Sequence, residues 1–366
     1  MGRLNDLYRD EGQSPWLDNL KRGWITSGEL QRWVDRGVRG LTSNPTIFAK
    51  AIADSSDYDE QFRDLVDSGT SVEESYWKLV TTDIEDALSI LRPVYDESDG
   101  LDGFVSVEVA PELARDTEGT FDAATFLHSG IAEPNLYVKI PGTAEGIDAI
   151  RRSIAAGRSI NVTLLFGLRR YDEVIEAYLA GLEELVAGGG NPHPVSSVAS
   201  FFVSRVDTLV DRRLEEIGTE EALALQGKAA IANARLAYEL FRERFSGARW
   251  AKLEPAGARV QRPLWASTST KNPAFPDTMY VDELIGPDTV NTMPDSTLDA
   301  FEDHGRLERT VDTNLDEARE TVASLRTLGI DLEEVAATLE EEGVAAFSKS
   351  FDELLDALGT KAADLA

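Results

Sequence analysis

Short runs of β-branched and aliphatic residues alternate along the chain with longer stretches in which apolar residues recur at helical spacing. Eight runs have the length of a strand, and the segments between them follow the 3.6-residue period of helices. This alternation is typical of a parallel sheet covered by helices. Eight units favour one closed (β/α)8 TIM barrel, with a doubly wound open sheet as the alternative. The predicted strands are Pro15–Asn19, Gly40–Asn44, Phe104–Val109, Leu136–Ile140, Ser159–Leu165, Val198–Val203, Pro263–Thr268 and Thr289–Thr292.

The helical segments differ in how clearly they begin and end. The segment from Leu168 to Val186 has one apolar face, and a run of three glycines follows it as a stop. Thr26 and Glu29 have the spacing of a capping box, which predicts that a short helix begins there.

Two longer regions are predicted to add helices to the barrel. The insert Thr46–Leu101 has the spacing of several helices, and the chain from about Ser296 to its end has the pattern of helix throughout. No break in composition divides the chain. The sequence therefore predicts a single domain over residues 1–366, with the insert and the helical C-terminal region (about 296–366) included.

Polar side chains fall on one face of the predicted strands, because residues two apart share a face of a strand. Six strands repeat the pattern, and the polar residues lie near the strands' carboxyl ends, where barrel enzymes keep their sites. In the seventh strand, Trp265 and Ser267 would share that face. We therefore expect a polar chamber inside the barrel, lined by Asp18, Thr42, Asn44, Ser106, Glu108, Lys139, Asn161, Thr163 and Ser267.

Lys139 is the most informative residue of this set. A lysine in a strand that is covered on both faces must be paired or perturbed. Removal from water favours a neutral amine, which is the nucleophile that attacks a carbonyl to form an imine. Glu108 and Asp18 are candidate proton carriers. The alternative interpretations are a lysine on a solvated edge strand and a lysine locked in a salt bridge.

Composition narrows the chemistry further. The 366 residues include no cysteine, which excludes disulfides and thiolate metal sites and suits a reducing cytoplasm. The three histidines, at 128, 193 and 304, are scattered, so we expect neither a metal nor a cofactor. No apolar run reaches the length of a membrane span, and the formal net charge of −30 disfavours nucleic acid. An anionic substrate would need local cations inside this acidic protein.

Five sequence runs resemble the transaldolase family across nearly the whole chain, and within it the longer bacterial and plant-type group. The run that carries the lysine is followed about twenty residues later by an Asn-x-Thr triplet, which is a specific combination. The matching runs are Leu41–Thr46, Val105–Val109, Tyr137–Thr143, Ile160–Leu164 and Ser200–Arg205.

The resemblance implies a barrel enzyme that moves a three-carbon dihydroxyacetone unit from a ketose phosphate to an aldose phosphate. Sedoheptulose 7-phosphate or fructose 6-phosphate would be the donor, and glyceraldehyde 3-phosphate or erythrose 4-phosphate the acceptor. It implies that Lys139 forms the Schiff base, that Asp18 takes the hydroxyl proton, and that Glu108 and Thr163 hold a water. The residues implied in substrate binding are Thr42, Asn44, Asn161, Ser200, Arg205 and Ser267.

One departure from the family concerns the substrate phosphate. Shorter transaldolases carry a second phosphate-binding arginine just after the seventh strand, where this chain has no arginine between Ala266 and Pro273. Lys271, or Ser269 with a water, is the expected substitute. Two other functions stay open: a Schiff-base aldolase that releases the three-carbon unit, and a non-catalytic sugar-phosphate-binding barrel. The sequence does not distinguish a monomer from a homodimer.

Overall fold

Eight parallel strands form a closed barrel in the computed structural model, which describes residues 2–53 and 55–365. Each strand pairs with the next along the chain, and the first pairs with the last. The predicted (β/α)8 barrel is thus confirmed, and the doubly wound alternative is wrong. The strands are β1 (Gln13–Leu17), β2 (Gly40–Thr42), β3 (Phe104–Glu108), β4 (Leu136–Pro141), β5 (Ile160–Leu165), β6 (Ser197–Phe202), β7 (Arg262–Ala266) and β8 (Thr289–Met293).

The first two strands end earlier than the sequence pattern predicts. Strand β1 ends at Leu17 and β2 ends at Thr42, so Asp18 and Asn44 belong to the loops that follow. These loops lie at the carboxyl end of the barrel, which is the end where a site is expected.

Seventeen α-helices occur within the described ranges, and together they surround and cap the barrel. They are α1 (Arg3–Glu11), α2 (Arg22–Thr26), α3 (Glu29–Arg36), α4 (Pro45–Ala53), α5 (Asp59–Asp67), α6 (Val72–Glu97), α7 (Thr117–Ile131), α8 (Gly146–Ala155), α9 (Leu168–Ala187), α10 (Ser204–Ile217), α11 (Glu220–Leu223), α12 (Ala229–Arg244), α13 (Trp250–Leu253), α14 (Met279–Asp282), α15 (Asp295–His304), α16 (Leu315–Thr327) and α17 (Leu332–Leu365). Short 3₁₀ turns span Pro111–Arg115 and Glu254–Ala256.

The predicted capping box at Thr26 and Glu29 is wrong. Gly28 is the N-cap of α3 and has φ of 76°, a left-handed conformation that suits glycine. Thr26 belongs to α2, and its hydroxyl donates to the carbonyl of Arg22 in the preceding turn. A capping box does occur at Ser71, with Glu74, where α6 begins.

The two added helical regions meet over the mouth of the barrel. The insert forms α4, α5 and α6, and the 34-residue helix α17 packs against all three. Thr46 of α4 donates a hydrogen bond to Ser350 of α17. The C-terminal region is not helical throughout as predicted, because residues 305–314 and 328–331 connect three separate helices. No helix among the described residues is long and apolar enough to cross a membrane.

A layer of aromatic side chains fills the middle of the barrel. The rings of Phe104 and Tyr137 stack with centroids 4.0 Å apart, and Trp16 lies 6.1 Å from Tyr137. A Cβ atom at Gly40 would come within 2.3 Å of the Trp16 ring, so glycine at this position makes room for the indole. This layer separates two groups of buried polar residues, one at each end of the barrel.

The group at the amino end is an ion cluster around Asp102, which is fully buried. Its carboxylate lies 3.1 Å from Arg262 and 3.0 Å from Arg39. Ser14 and the indole of Trp16 also donate to it. Each carboxylate oxygen thus accepts two donors, which is what a buried charge requires. We refer to these five residues as the lower cluster.

Candidate active site

A polar chamber with a volume of about 130 Å³ lies at the carboxyl end of the barrel. The structure brings the predicted site residues together there. Glu108 and Asn161 contact lining residues directly, through Lys139 and Ser200. The other nine line the chamber themselves: Asp18, Thr42, Asn44, Lys139, Thr163, Ser200, Arg205, Ser267 and Lys271.

Lys139 projects from β4 into the chamber and is only 5% exposed. Its amine lies 3.0 Å from the carboxylate of Glu108, the residue that pairs with it in register on β3. It also donates a hydrogen bond of 3.1 Å to the backbone carbonyl of Ser43. The solvated edge-strand interpretation is therefore wrong, whereas the salt bridge is present. A salt bridge to a carboxylate inside a chamber also places a proton acceptor beside the amine.

Burial raises the pKa of Glu108, although the ammonium of Lys139 opposes the rise. Burial likewise raises the pKa of Asp18, against the hydrogen bond from Thr42 and the charge of Lys139. Asp18 is partly exposed to the chamber, but most of its surroundings are protein, and the loss of water there is the largest effect on its pKa. Carboxyl groups with raised pKa values are suited to carrying protons near neutral pH.

Asp18 is oriented by a pair of threonines. The hydroxyl of Thr42 donates to its carboxylate at 2.7 Å and lies 2.7 Å from the hydroxyl of Thr292. Thr292 comes from β8, the neighbour of β1 in the closed barrel. Closure of the barrel therefore brings residues 18 and 292 into one hydrogen-bonded chain.

A second chain of hydrogen bonds crosses the floor of the chamber. Ser200 donates to the side-chain oxygen of Asn161 at 2.8 Å, and Asn161 donates to Ser106 at 3.1 Å. Thr163 lies on the same strand as Asn161, and its hydroxyl is fully buried without a hydrogen-bond partner in the part of the chain that the structure describes. A buried hydroxyl without a partner is costly unless a ligand or water completes it.

Asn44 lines the chamber, but its side chain has a structural role as well. Its oxygen accepts a hydrogen bond of 2.9 Å from the backbone of Ile47 in the first turn of α4. The predicted binding role therefore rests on the atoms of Asn44 that still face the chamber.

Arg205, in the first turn of α10, holds a guanidinium that no carboxylate neutralises directly. It makes no hydrogen bond or ion pair with any described residue and packs near the rings of Phe202 (5.1 Å) and Phe347 (5.9 Å). Burial lowers its pKa, while the charges of Asp18 and Glu108 oppose that effect. A partly buried arginine without a protein partner is suited to bind an anion bidentately.

The segment after β7 reaches the chamber in an unpredicted way. Trp265 packs edge-on against Phe201, and Phe201 packs against Tyr171 of α9. These contacts show that Trp265 points outward, towards the helices. The prediction that Trp265 and Ser267 share the interior face is therefore wrong. Ser267 has φ of 57°, which interrupts the alternation and lets it line the chamber. Its hydroxyl lies 2.8 Å from that of Ser204.

Lys271 lies at the rim of the chamber and is exposed. Its amine donates to Ser269, another lining residue, at 2.6 Å. Both suggested substitutes for the missing arginine therefore lie at the chamber, and the choice between them stays a prediction.

Sequence reasoning missed three contributors to the site. Thr292 follows the alternation of β8 and could have been found by parity, but its strand was predicted to end there. Ser43 acts through its backbone carbonyl, which has no signature in the side-chain pattern. Phe347 lies on α17, more than 300 residues beyond Asp18, and no local pattern predicts that contact.

No group of three or more histidine or acidic side chains within the described ranges is placed to hold a metal ion. The arrangement instead offers an amine, two carboxyl groups, several hydroxyls and two cations around one small chamber. These groups can form a covalent bond to a carbonyl, move protons and bind an anion.

Comparison with known proteins supplies relatives that cover nearly the whole chain. Residues 15–358 match the family described as "Transaldolase/Fructose-6-phosphate aldolase". A "Transaldolase" of Thermobifida fusca is 52% identical over 358 residues, which are 97% of each chain. A "Transaldolase" of a Parafrankia species is 52% identical over 357 residues, 97% of this chain and 96% of that protein. "Transaldolase 1" of Streptomyces avermitilis is 51% identical over 353 residues, 96% of this chain and 93% of the relative.

Proposed function

The chain belongs to the transaldolase/fructose-6-phosphate aldolase family, and from this premise we propose that it is a transaldolase. It transfers a dihydroxyacetone unit from sedoheptulose 7-phosphate or fructose 6-phosphate to glyceraldehyde 3-phosphate or erythrose 4-phosphate. The transfer proceeds through a Schiff base on Lys139. The corresponding physiological role is in the non-oxidative pentose phosphate pathway of the cytoplasm.

One observation carries the proposal: the Lys139 amine is buried in a chamber and lies 3.0 Å from a carboxylate. The cost of burying an ammonium is high, and Glu108 offsets part of it while offering a site for the proton. The amine attacks the C2 carbonyl of the ketose, and loss of water gives a protonated imine. That imine accepts the electron pair released in the next step.

Cleavage requires removal of the C4 hydroxyl proton of the bound ketose. Asp18 is the carboxylate available in the chamber, and its raised pKa makes it a stronger base once it is ionised. As the proton leaves, the C3–C4 bond breaks and the aldose departs. The electron pair of that bond stays with C3 and moves into the protonated imine, which becomes an enamine bonded to Lys139. The acceptor aldehyde then adds to the enamine carbon, and Asp18 returns the proton.

Formation and hydrolysis of the imine require protons to reach the C2 oxygen. Glu108 lies beside the amine, and the unpartnered hydroxyl of Thr163 faces the same chamber. A water between Glu108 and Thr163 would complete both groups. The hydroxyls and amides of Thr42, Asn44, Asn161, Ser200 and Ser267 orient the carbon chain, and Arg205 binds the phosphate.

Borohydride trapping tests the covalent step. Incubation with fructose 6-phosphate and sodium borohydride should give a stable adduct of a reduced dihydroxyacetone or hexose unit on Lys139, located by peptide mass spectrometry. Lys252→Met is a matched control, because that lysine is exposed and does not line the chamber. If no adduct forms at Lys139, or if Lys139→Met gives as much adduct as the parent protein, the result would support the non-catalytic sugar-phosphate-binding barrel.

The family name also includes an aldolase, and that alternative differs in its need for an acceptor. A transaldolase turns over fructose 6-phosphate only when an acceptor such as erythrose 4-phosphate is present. Rapid release of free dihydroxyacetone without an acceptor would replace the proposed transfer by simple aldol cleavage.

A further inference from the structure

The opening of the chamber lies where it meets a second cavity on the outer side of the barrel. Five residues line both spaces and so mark this opening: Asp18, Asn44, Arg205, Pro294 and Phe347. Four of them come shortly after barrel strands, whereas Phe347 belongs to the C-terminal helix α17. Phe347 is also the one aromatic side chain of the five, and it is only 6% exposed. The opening therefore has an apolar ring that the barrel itself does not supply.

A glycine one turn earlier in α17 lets the helix approach the barrel closely. Gly343 and Phe347 are four residues apart, so they lie on the same face of the helix. A Cβ atom at Gly343 would lie 2.9 Å from Cδ2 of Leu164 in β5 and 3.7 Å from Nη1 of Arg205. Glycine is unfavourable in the interior of a helix, and this close approach accounts for its presence. The approach brings the ring of Phe347 to the chamber.

Contacts on the other side of Phe347 attach α17 to the helical insert. Ser350 accepts a hydrogen bond of 3.0 Å from the hydroxyl of Thr46 in α4. The ring of Phe351 packs edge-on against that of Tyr76 in α6, with centroids 5.2 Å apart. The helix is thus fixed before and after Phe347, and its ring is held at the opening.

The proposed reaction has an intermediate that a proton from water can divert. After cleavage, the enamine on Lys139 must survive until the acceptor aldehyde enters. If C3 takes a proton instead, the electron pair of the enamine double bond forms the new C3–H bond and the imine returns. Water then hydrolyses the imine to free dihydroxyacetone and the amine of Lys139. Transfer and release therefore compete for one enamine.

The opening is the place where this competition is exposed to solvent. Asp18, which holds the proton after cleavage, lines the opening together with Phe347. Water that fills the space left by the departing aldose would arrive beside that carboxyl group. An aromatic ring offers such water no hydrogen-bonding group of its own class, and exclusion of water protects reactive intermediates from side reactions.

We propose that Phe347 determines the choice between transfer and release, because its ring keeps water away from the enamine. This inference rests on the proposed function, since it requires an enamine on Lys139. It gives α17 a part in the reaction: the helix supplies a specificity-determining side chain from outside the barrel.

The test measures how the enamine is divided between its two fates. One rate is the slow release of dihydroxyacetone from fructose 6-phosphate without an acceptor, and the other is transfer to erythrose 4-phosphate. Their ratio does not depend on the fraction of folded protein, because both rates come from the same active molecules. Phe347→Ala should raise the ratio of release to transfer by on the order of tenfold. Phe347→Leu keeps an apolar side chain at the opening and should raise it less.

Phe351→Ala is the matched control. It removes the same ring from the same helix at a position that is also buried, 3% exposed, but does not line the chamber. The ratio in this variant should equal that of the parent protein. An unchanged ratio in Phe347→Ala, or an equal rise in Phe351→Ala, would overturn the assignment.

Two other outcomes are distinguishable from these. The ring of Phe347 lies 5.9 Å from the guanidinium of Arg205, so it could act only by supporting that side chain. A higher KM for fructose 6-phosphate with an unchanged ratio would show such a role and would overturn the inference. Borohydride trapping reports separately on the premise: a parent protein that gives no adduct on Lys139 and no transfer would contradict the proposed function itself.

Discussion

The two ends of the barrel each bury charged side chains, but they treat them differently. In the lower cluster, Asp102 is held by two arginines, a hydroxyl and an indole, and both carboxylate oxygens have partners. In the chamber, Glu108 faces one ammonium, Arg205 pairs with no described residue, and the hydroxyl of Thr163 accepts and donates nothing among them. One barrel therefore contains a completed polar cluster and an incomplete one.

The pKa values of the carboxyl groups follow the same division. Burial would raise the pKa of Asp102, but Arg262 and Arg39, with the hydrogen bond from Ser14, outweigh it and lower the value. Burial raises the pKa of Asp18 and of Glu108, because their partners do not compensate fully. Incomplete compensation destabilises the folded protein and leaves groups free to contact a substrate. We therefore expect the lower cluster to stabilise the fold and the chamber to carry the proposed chemistry.

The largest expected effect is the loss of activity in Lys139→Met. Without an amine no imine can form, so kcat/KM for transfer should fall on the order of 10⁴-fold or more. The measurement is the rate of transfer from fructose 6-phosphate to erythrose 4-phosphate at equal concentrations of folded protein.

Arg262→Met is the matched change at the opposite end, since it also removes one cation from a buried pair. Its activity per folded molecule should stay within about threefold of the parent. Comparable activity losses in the two variants would erase the functional difference between the two ends.

Arg262→Met should instead have the largest effect on stability. It leaves the fully buried Asp102 with less compensation, and breaking a buried pair in this way costs about 3–5 kcal/mol. Urea denaturation measures the free energy of unfolding. Arg319→Met, which removes an arginine with a 48% exposed side chain from a surface pair with Glu239, should change it by less than about 1 kcal/mol. If both arginine variants unfold alike, the lower cluster does not stabilise the fold.

The pH dependence of stability should have opposite signs at the two ends. A lowered pKa gives Asp102 a stabilising contribution that is present above its unfolded value of about 3.9 and is lost as pH falls through the folded pKa. A raised pKa makes ionised Asp18 destabilising at neutral pH, and this cost disappears as pH falls through its folded pKa.

Urea denaturation of Asp102→Asn and Asp18→Asn between pH 3 and pH 8 checks these signs. Relative to the parent, Asp102→Asn should be least stable near neutral pH and recover towards pH 3. Asp18→Asn should be more stable than the parent near neutral pH, and its advantage should shrink as the solution becomes acidic. If both variants differ in free energy of unfolding from the parent in the same direction near neutral pH, the proposed difference between the two ends is contradicted.

The chamber was predictable from sequence where strand alternation is uninterrupted. In β3, β4 and β5 the pattern places Glu108, Lys139 and Thr163 correctly on the interior face, because each residue follows the period of two. It failed after β7, where the left-handed backbone of Ser267 breaks the period. The two-residue period therefore predicts the side-chain direction only where the strand backbone is regular.

Contacts between distant parts of the chain could not be predicted in this way. Phe347 lines the chamber because α17 packs against α4, α5 and α6 over the mouth of the barrel. Similarly, Ser14, Asp102 and Arg262 assemble the lower cluster from three separate strand ends. These sites depend on tertiary packing, and a single sequence gives no local signal for it.

Thr163→Val gives the smallest expected effect and sharpens the comparison within the chamber itself. The hydroxyl of Thr163 is buried and has no partner in the described structure, so a methyl group of the same shape should leave the free energy of unfolding within about 1 kcal/mol of the parent, or raise it slightly. Transfer activity should fall by about tenfold to a hundredfold, since the proposed proton path needs the Thr163 hydroxyl. Thr321→Val, on α16 and remote from the chamber, controls for the substitution. A clear loss of stability with full activity would show that Thr163 has a structural role. The proton transfers would then have to be assigned to its neighbours in the chamber.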